Sequence, residues 1–201
     1  MTEKRFRWKV PSSDELRDQI REIDSESIEF RVKRLSFLIE EFGPPVDMLL
    51  SGGVPALMSL YDLKASYLHG NDLSVVMAAH IFVEQILGGA LILAGHDREA
   101  EGGLAAIIEK ATELRIIDES VSKRLDELRR MRIAYFHAHV GMKDRSHLGR
   151  LKASGHFDSD KLIEDDAEEA IRVIVDLLRF QNPGWTPENP EWQHQSIVAT
   201  W

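Results

Sequence analysis

The longest apolar run in the chain, residues 73–94, limits most strongly how the protein can fold. It reads LSVVMAAHIFVEQILGGALILA and is long enough to cross a bilayer as a helix. However, His80, Glu84 and Gln85 lie in its middle, and each of them is costly to place in hydrocarbon. A glycine pair near its end weakens it further as a free-standing span. We therefore expect a buried central helix and no membrane association.

The chain contains no cysteine, which excludes disulfides, thiolate metal sites and cysteine nucleophiles. This composition suits a reducing compartment. The N-terminus, MTEKRFRWKV, is basic but lacks the apolar stretch of a secretory signal. We therefore expect a cytoplasmic protein.

Capping signals, helical periodicity and helix breakers predict an all-α fold with little strand. A capping box at Ser12 opens a polar helix through about Ser25. A second, amphipathic helix ends at Gly43. Further helices are predicted over residues 55–68, 73–94, 104–114, 121–140 and 164–180, with a polar loop containing Gly149 and Gly155 before the last.

These elements divide the chain into three parts. Residues 1–70 form an N-terminal helical extension, residues 71–180 a helical bundle, and residues 181–201 an irregular tail. The tail is punctuated by proline and holds three of the four tryptophans. Since free tryptophans in solvent would be unusual, we expect the tail to pack on its own body or on a neighbouring subunit.

Charge is unevenly distributed. The chain carries a net charge of −9, yet residues 123–152 contain nine Lys/Arg against three Asp/Glu. That local charge of +6 leaves −15 on the remainder. Such asymmetry fits a discrete anion-binding face on an acidic body. The alternative is a solvated helix face whose cations pair with the acidic helix at residues 164–169.

The Arg/His segment, residues 125–139, lies within this basic stretch. Arg130 and His137 are seven residues apart, about 20° short of two full helical turns. Arg132 and His139 share that spacing, whereas Arg132 and His137 diverge by about 140°. Two Arg–His pairs can therefore line neighbouring faces of one helix.

A histidine near an arginine suits phosphodiester cleavage. Histidine moves a proton near neutral pH, and the guanidinium binds a phosphate through two hydrogen bonds. With RNA, the substrate's own 2′-hydroxyl is the nucleophile, so no serine, cysteine or metal is needed. The alternative is that the histidines are ordinary, partly buried residues and the arginines pair with Asp126, Glu127 or the acidic helix. His137 and His139 point about 160° apart on a helix, so we expect no metal site and no cofactor.

The order of elements resembles the HEPN superfamily of helical bundles. An apolar helix with an internal glutamate (residues 81–87) leads to residues 104–111 and a short link at residues 116–118. The next helix reads L-x-x-L-R-x-x-R-x-x-x-x-H. The mark of that superfamily is an arginine followed, four to six residues later, by a histidine near the end of a helix. The resemblance covers residues 71–180, about half the chain.

The resemblance implies a metal-independent endoribonuclease or RNA-binding protein, often a toxin or defence effector. It implies a homodimer in which two Arg/His segments meet in one cleft, and an antitoxin or regulatory protein as a further partner. Carried over by position, Arg132 or Arg130 would hold the scissile phosphate, and His137 would serve as acid and base. Glu84 would be a buried structural partner. We expect three neighbouring residues to contact substrate: Arg129, His139 and Lys143.

A second function is compatible with the same segment. Catalytic members of the superfamily usually carry a polar residue directly after the arginine, but here Ile133 follows Arg132 and Met131 follows Arg130. The mannitol-operon repressor family has a similar helical order and acts through protein association. The alternative is therefore a non-catalytic helical dimerisation or regulatory module.

Overall fold

The structure is a computed structural model and describes residues 12–43, 50–136, 146–155 and 158–182. Within these ranges the chain forms helices and no strand, so the predicted all-α fold class is confirmed. The described helices are α1 Ser13–Phe42, α2 Gly53–Leu68, α3 Asp72–Leu93, α4 Asp97–Ala100, α5 Leu104–Glu113, α6 Glu119–Phe136, α7 His147–Ser154 and α8 Ser159–Gln181.

Helix α3 is the centre of the core, as the apolar run predicts. It contacts α2, α4, α5, α6 and α8, and half of its residues are buried. Among the described residues it is the one helix with the length and hydropathy of a membrane span, and 61% of that apolar window is buried against the rest of the protein. Burial of this apolar surface is the main stabilising contribution to the fold.

The glycine pair in α3 is a contact surface rather than a break. A Cβ atom on Gly89 would lie 2.2 Å from the carbonyl oxygen of Ser51, and one on Gly52 would lie 2.6 Å from that of Gln85. The Ser51 hydroxyl donates to the carbonyl of Ile86 at 2.8 Å. The segment leading into α2 therefore crosses α3 at backbone distance, which only glycine permits.

Helix α1 corrects the prediction of two separate helices. It is continuous for 30 residues. No glycine or proline occurs between Ser25 and Phe30, and the Ser27 hydroxyl donates back to the carbonyl of Asp24 at 3.1 Å, so nothing ends the helix there. The predicted capping box at Ser12 is confirmed.

The C-terminal part also differs from the prediction. The predicted polar loop contains α7, which Ser146 caps by accepting from the backbone N–H of Gly149 at 3.0 Å. Helix α8 begins at Ser159, five residues before the predicted start, because Asp158 caps its first turn. The short helix α4 was not predicted. The predicted end of the Arg/His segment lies outside the described residues.

Arg34 joins three helices inside the core. Its guanidinium donates to both carboxylate oxygens of Asp72, at 2.5 and 2.9 Å, and to the carbonyl of Tyr67 at 3.0 Å. It lies against the rings of Phe30 and Tyr67, 4.5 and 4.4 Å from their centres. The second half of α1 and all of α2 thereby pack on the core built around α3 and α8. The division of the chain at residues 70 and 180 stays a prediction.

Candidate functional site

The predicted site residues fall into two groups. Three arginines lie in the C-terminal half of α6: Arg129, Arg130 and Arg132. The other three predicted residues lie outside the described residues: His137, His139 and Lys143. The geometry of the arginines is therefore the part of the Arg/His segment that the structure describes.

Arg129 and Arg130 share one carboxylate. Arg129 contacts Asp126 Oδ1 at 2.7 Å through Nη2 and donates to it from Nε at 2.8 Å. Arg130 contacts Asp126 Oδ2 at 2.7 Å, and 70% of its side chain is exposed. These are the pairs that the alternative interpretation of the arginines predicts. Asp126 therefore compensates part of the positive charge of both.

Arg132 is in a different environment. Its side chain is partly buried, and its buried Nε has no hydrogen-bond partner in the part of the chain that the structure describes. Its positive charge acts on His80 and Glu84, both in the middle of α3. Arg129 also acts on His80. We call these four residues the α3–α6 cluster.

His80 is a neutral member of the α3–α6 cluster. It is 4% exposed, and burial lowers its pKa to about 4, with the charges of Arg132 and Arg129 adding to the effect. Its Nδ1 lies 3.7 Å from Glu84 Oε2, beyond hydrogen-bond distance. His80 is therefore uncharged near neutral pH and is not a proton donor there.

Glu84 belongs both to the α3–α6 cluster and to an open cleft. Burial raises the pKa of its carboxyl, and the positive charge of Arg132 opposes that rise. The cleft has a volume of about 450 Å³ and lies between α3, the segment before α2 and the α4–α5 region. Besides Glu84 it is lined mainly by small and apolar residues, among them Ser51, Gly52, Gly88, Ile92, Gly102 and Ile107.

A buried network fixes the end of α6. Asp166 of α8 is 5% exposed and accepts hydrogen bonds from the Tyr135 hydroxyl and from the Arg150 guanidinium. Burial and the neighbouring Asp166 raise the pKa of Tyr135. The His147 ring lies 5.4 Å from that of Tyr135, and its Nε2 is 2.7 Å from the Ser159 hydroxyl. The network therefore holds α7 between α6 and α8.

Two arginines of the basic stretch pair with acidic residues of α8. Arg124 pairs with Glu169 at 2.7 Å and with Asp176, and Arg150 pairs with Asp166. Together with the Asp126 pairs, this accounts for four arginines of the stretch. Among its arginines that the structure describes, Arg132 is the one with no ion pair to a carboxylate within 4 Å.

Sequence reasoning did not find Asp166 or its partners Tyr135 and Arg150. A signal was present, since Asp166 lies four residues from Leu162 and four from Ala170, both buried. An acidic residue at a position of apolar periodicity predicts a buried, paired carboxylate. The same signal applies to His80 in the apolar run. That His80 feels the charges of Arg132 and Arg129 on α6 depends on tertiary packing, which periodicity does not reveal.

Chemically, the α3–α6 cluster offers one guanidinium with unused hydrogen-bonding capacity, beside a carboxylate and a neutral imidazole. Partial burial strengthens the attraction between such a guanidinium and an anionic group. Within the described ranges, no group of three or more histidine and acidic residues could hold a metal ion. No protein-family model, curated protein or solved structure matches the chain.

Proposed function

We propose that this protein is a HEPN-like RNA-binding protein that holds an RNA phosphodiester at Arg132 and cleaves it without a metal. One observation carries the proposal. In a stretch whose other described arginines pair with carboxylates, Arg132 has no such pair and has a buried, unpartnered Nε. The Arg–His spacing of the HEPN superfamily supports it.

The environment of Arg132 favours an anionic ligand. A guanidinium forms two parallel hydrogen bonds with a phosphate, and each gains strength when water is partly excluded. Glu84 is close enough for its charge and that of Arg132 to interact, and burial raises the pKa of its carboxyl. His80 is neutral and adds no competing charge. Arg132 is therefore better suited to bind phosphate than Arg130, which is exposed and paired.

The cleavage step needs only the substrate and two side chains. The 2′-oxygen of the ribose attacks the adjacent phosphorus, the bond from phosphorus to the 5′-oxygen breaks, and a 2′,3′-cyclic phosphate forms. His137 accepts the 2′-hydroxyl proton and, as the resulting imidazolium, donates a proton to the departing 5′-oxygen. Arg132 stabilises the charge that builds up on the phosphoryl oxygens. Arg129, His139 and Lys143 contact neighbouring phosphates.

The wider proposal follows the family expectation. Two copies would bring their Arg/His segments together in one basic cleft, in a cytoplasmic toxin or defence system with an antitoxin partner. The net charge of −9 limits the protein to a local RNA-binding face.

The cleavage test uses purified protein and mixed single-stranded RNA in EDTA. Wild type is compared with Arg132→Ala, His137→Ala and Arg130→Ala, the last being a matched control on the same helix. We expect Arg132→Ala and His137→Ala each to slow cleavage by about a hundredfold or more, because each removes a group used in the transition state. Arg130→Ala should stay close to wild type.

Intact RNA with wild-type protein would remove the cleavage part of the proposal. Cleavage by wild type that survives in His137→Ala would point to a contaminating nuclease and contradict it as well. A loss in Arg130→Ala that equals the loss in Arg132→Ala would contradict the choice of arginine.

A second function is favoured by the compensated charges. The ion pairs of Arg124, Arg129, Arg130 and Arg150 suit a regulatory module that acts through protein association. This alternative predicts that Arg132→Ala chiefly lowers the free energy of unfolding or the degree of association. Urea denaturation and sedimentation of the same variants therefore distinguish the two functions.

A further inference from the structure

The first half of α1 extends beyond the rest of the protein. Every residue from Ser12 to Glu26 is exposed, whereas Arg34, Leu38 and Phe42 in the second half are buried. Residues 13–26 correspond to about 20 Å of helix. We call this part of the helix the α1 arm.

The α1 arm carries an uncovered apolar stripe. Leu16, Ile20 and Ile23 are 39%, 60% and 63% exposed. Their spacing of four and three residues places them on one face, and the same spacing continues through Ser27 to Arg34. The stripe is therefore an extension of the face that packs on the body further along the helix.

The α1 arm, residues 13–26, is so short that its helix is only marginally stable in water unless its apolar face is buried. The seven-residue recurrence on the α1 arm is the pattern of a two-helix seam. We propose that a second copy of this chain covers the stripe, with the two α1 arms packed antiparallel. This interface does not depend on the function proposed for Arg132.

Geometry favours the antiparallel direction. The stripe and the body-facing surface of α1 are one face, so a parallel partner helix would run into the body of the same protomer near Phe30. At that point α1 already contacts the body, because the Phe30 ring packs against Gly70: a Cβ atom added to Gly70 would lie 3.0 Å from the ring. An antiparallel partner helix runs the other way. Its first residue, the capping Ser12, then lies opposite the point at which α1 starts to contact the body, so the partner helix does not extend into the body. Two arms of equal length therefore fit side by side.

Charge and register agree with this arrangement. Pairing Ile20 with Ile23 of the partner subunit places Leu16 opposite Ser27 of the partner subunit. In the same register, Arg17 lies at the edge of the helix–helix interface, on the same edge as the partner's Asp24. Since the arrangement is two-fold, each contact occurs twice. Opposite charges beside a seam select partner and direction.

Sedimentation tests the interface. We expect the full chain to self-associate reversibly through the α1 arms, and Ile20→Asp with Ile23→Asp to raise the dissociation constant of that contact at least tenfold, whether or not the Arg/His segments also pair. Ile28→Asp is the matched control, because Ile28 is 49% exposed but lies off the stripe. It should leave the dimer unchanged. Circular dichroism of each variant confirms that the fold is retained.

Cross-linking tests direction, and the chain has no native cysteine to interfere. In the antiparallel register Ile20 lies opposite Ile23 of the partner subunit. A mixture of the Ile20→Cys and Ile23→Cys proteins should therefore form disulfide-linked dimers more readily than either variant by itself. Arg17→Asp should weaken association, and adding Asp24→Arg should restore it.

Three results would overturn the proposal. A monomer at all concentrations would show that the stripe is covered by residues 1–11 or 183–201, or by another protein. A dimer unaffected by the aspartate pair would place the interface elsewhere. Preferential self-linking of each cysteine variant would show parallel helices.

Discussion

Arg132 and Arg130 lie two residues apart on one helix, yet their surroundings differ. Arg130 is mostly exposed and paired with Asp126. Arg132 is partly buried beside Glu84 and His80, and its Nε has no partner among the described residues. At the residue scale, this difference is the reason for placing Arg132, rather than Arg130, in the proposed phosphate-binding role.

Residue-scale chemistry also predicts how stability depends on pH. The pKa of His80 is about 4 in the folded protein, against about 6.5 for an unperturbed histidine. Between these values the unfolded chain binds a proton more readily, so stability falls as the pH is lowered. We expect the unfolding free energy to drop by about 2 kcal/mol between pH 7 and pH 5 from this group.

Urea denaturation at a series of pH values checks this prediction, with His80→Gln as the comparison. Glutamine is polar and does not titrate. Between pH 7 and pH 5 the variant should therefore lose about 2 kcal/mol less unfolding free energy than wild type. An equal loss in both proteins would show that other groups cause the pH dependence.

At the scale of elements, the crossing of α3 by the segment that leads into α2 gives a matched pair of substitutions. A Cβ atom on Gly89 would meet the backbone of Ser51 at 2.2 Å, whereas one on Gly88 would have Ala100 O as its nearest neighbour, at 3.7 Å. We expect Gly89→Ala to cost roughly 1–3 kcal/mol through overpacking. Gly88→Ala should be neutral or stabilise the helix by up to about 1 kcal/mol.

Thermal or urea unfolding of the two alanine variants measures the difference. Equal stability of both would mean that the backbone of Ser51 does not contact α3 at Gly89. The comparison is sharp because the glycines are adjacent, share one helix and receive the same new side chain.

Most helices of this fold can be predicted from the sequence, and particular residues explain the exceptions. The α3 prediction is confirmed because its long apolar run has definite ends, and the α5 prediction because that helix has clear apolar periodicity. The prediction of two helices in place of α1 is wrong because a change from polar to amphipathic character is not a break in the backbone. Helix α7 was missed because its anchor, Arg150 with Asp166, is a tertiary contact.

For the candidate site, the sequence predicts which helix to consider but not which arginine is free. That distinction depends on Asp126, which lies one turn from Arg130, and on α3, which is distant in sequence from Arg132. Ion pairing is decided by packing, so counting charges over residues 123–152 overstates the available positive charge. His137, His139 and Lys143 remain predictions.

At the scale of the whole molecule, an acidic chain packs around a core built on α3, and α8 pairs with two arginines of the basic stretch, Arg124 and Arg150. Among the described arginines of that stretch, Arg132 alone has no carboxylate partner within 4 Å. We therefore expect a local phosphate-binding site. The affinity of the protein for RNA should depend strongly on Arg132 and weakly on the neighbouring arginines that pair with carboxylates.

Binding to a short single-stranded RNA, made non-cleavable by 2′-O-methylation and followed by fluorescence anisotropy at fixed salt, tests this claim most directly. We expect measurable binding by wild type, a loss of about tenfold or more in Arg132→Ala, and a loss of less than about threefold in Arg130→Ala. Absence of binding by wild type, or equal losses in the two variants, would contradict it.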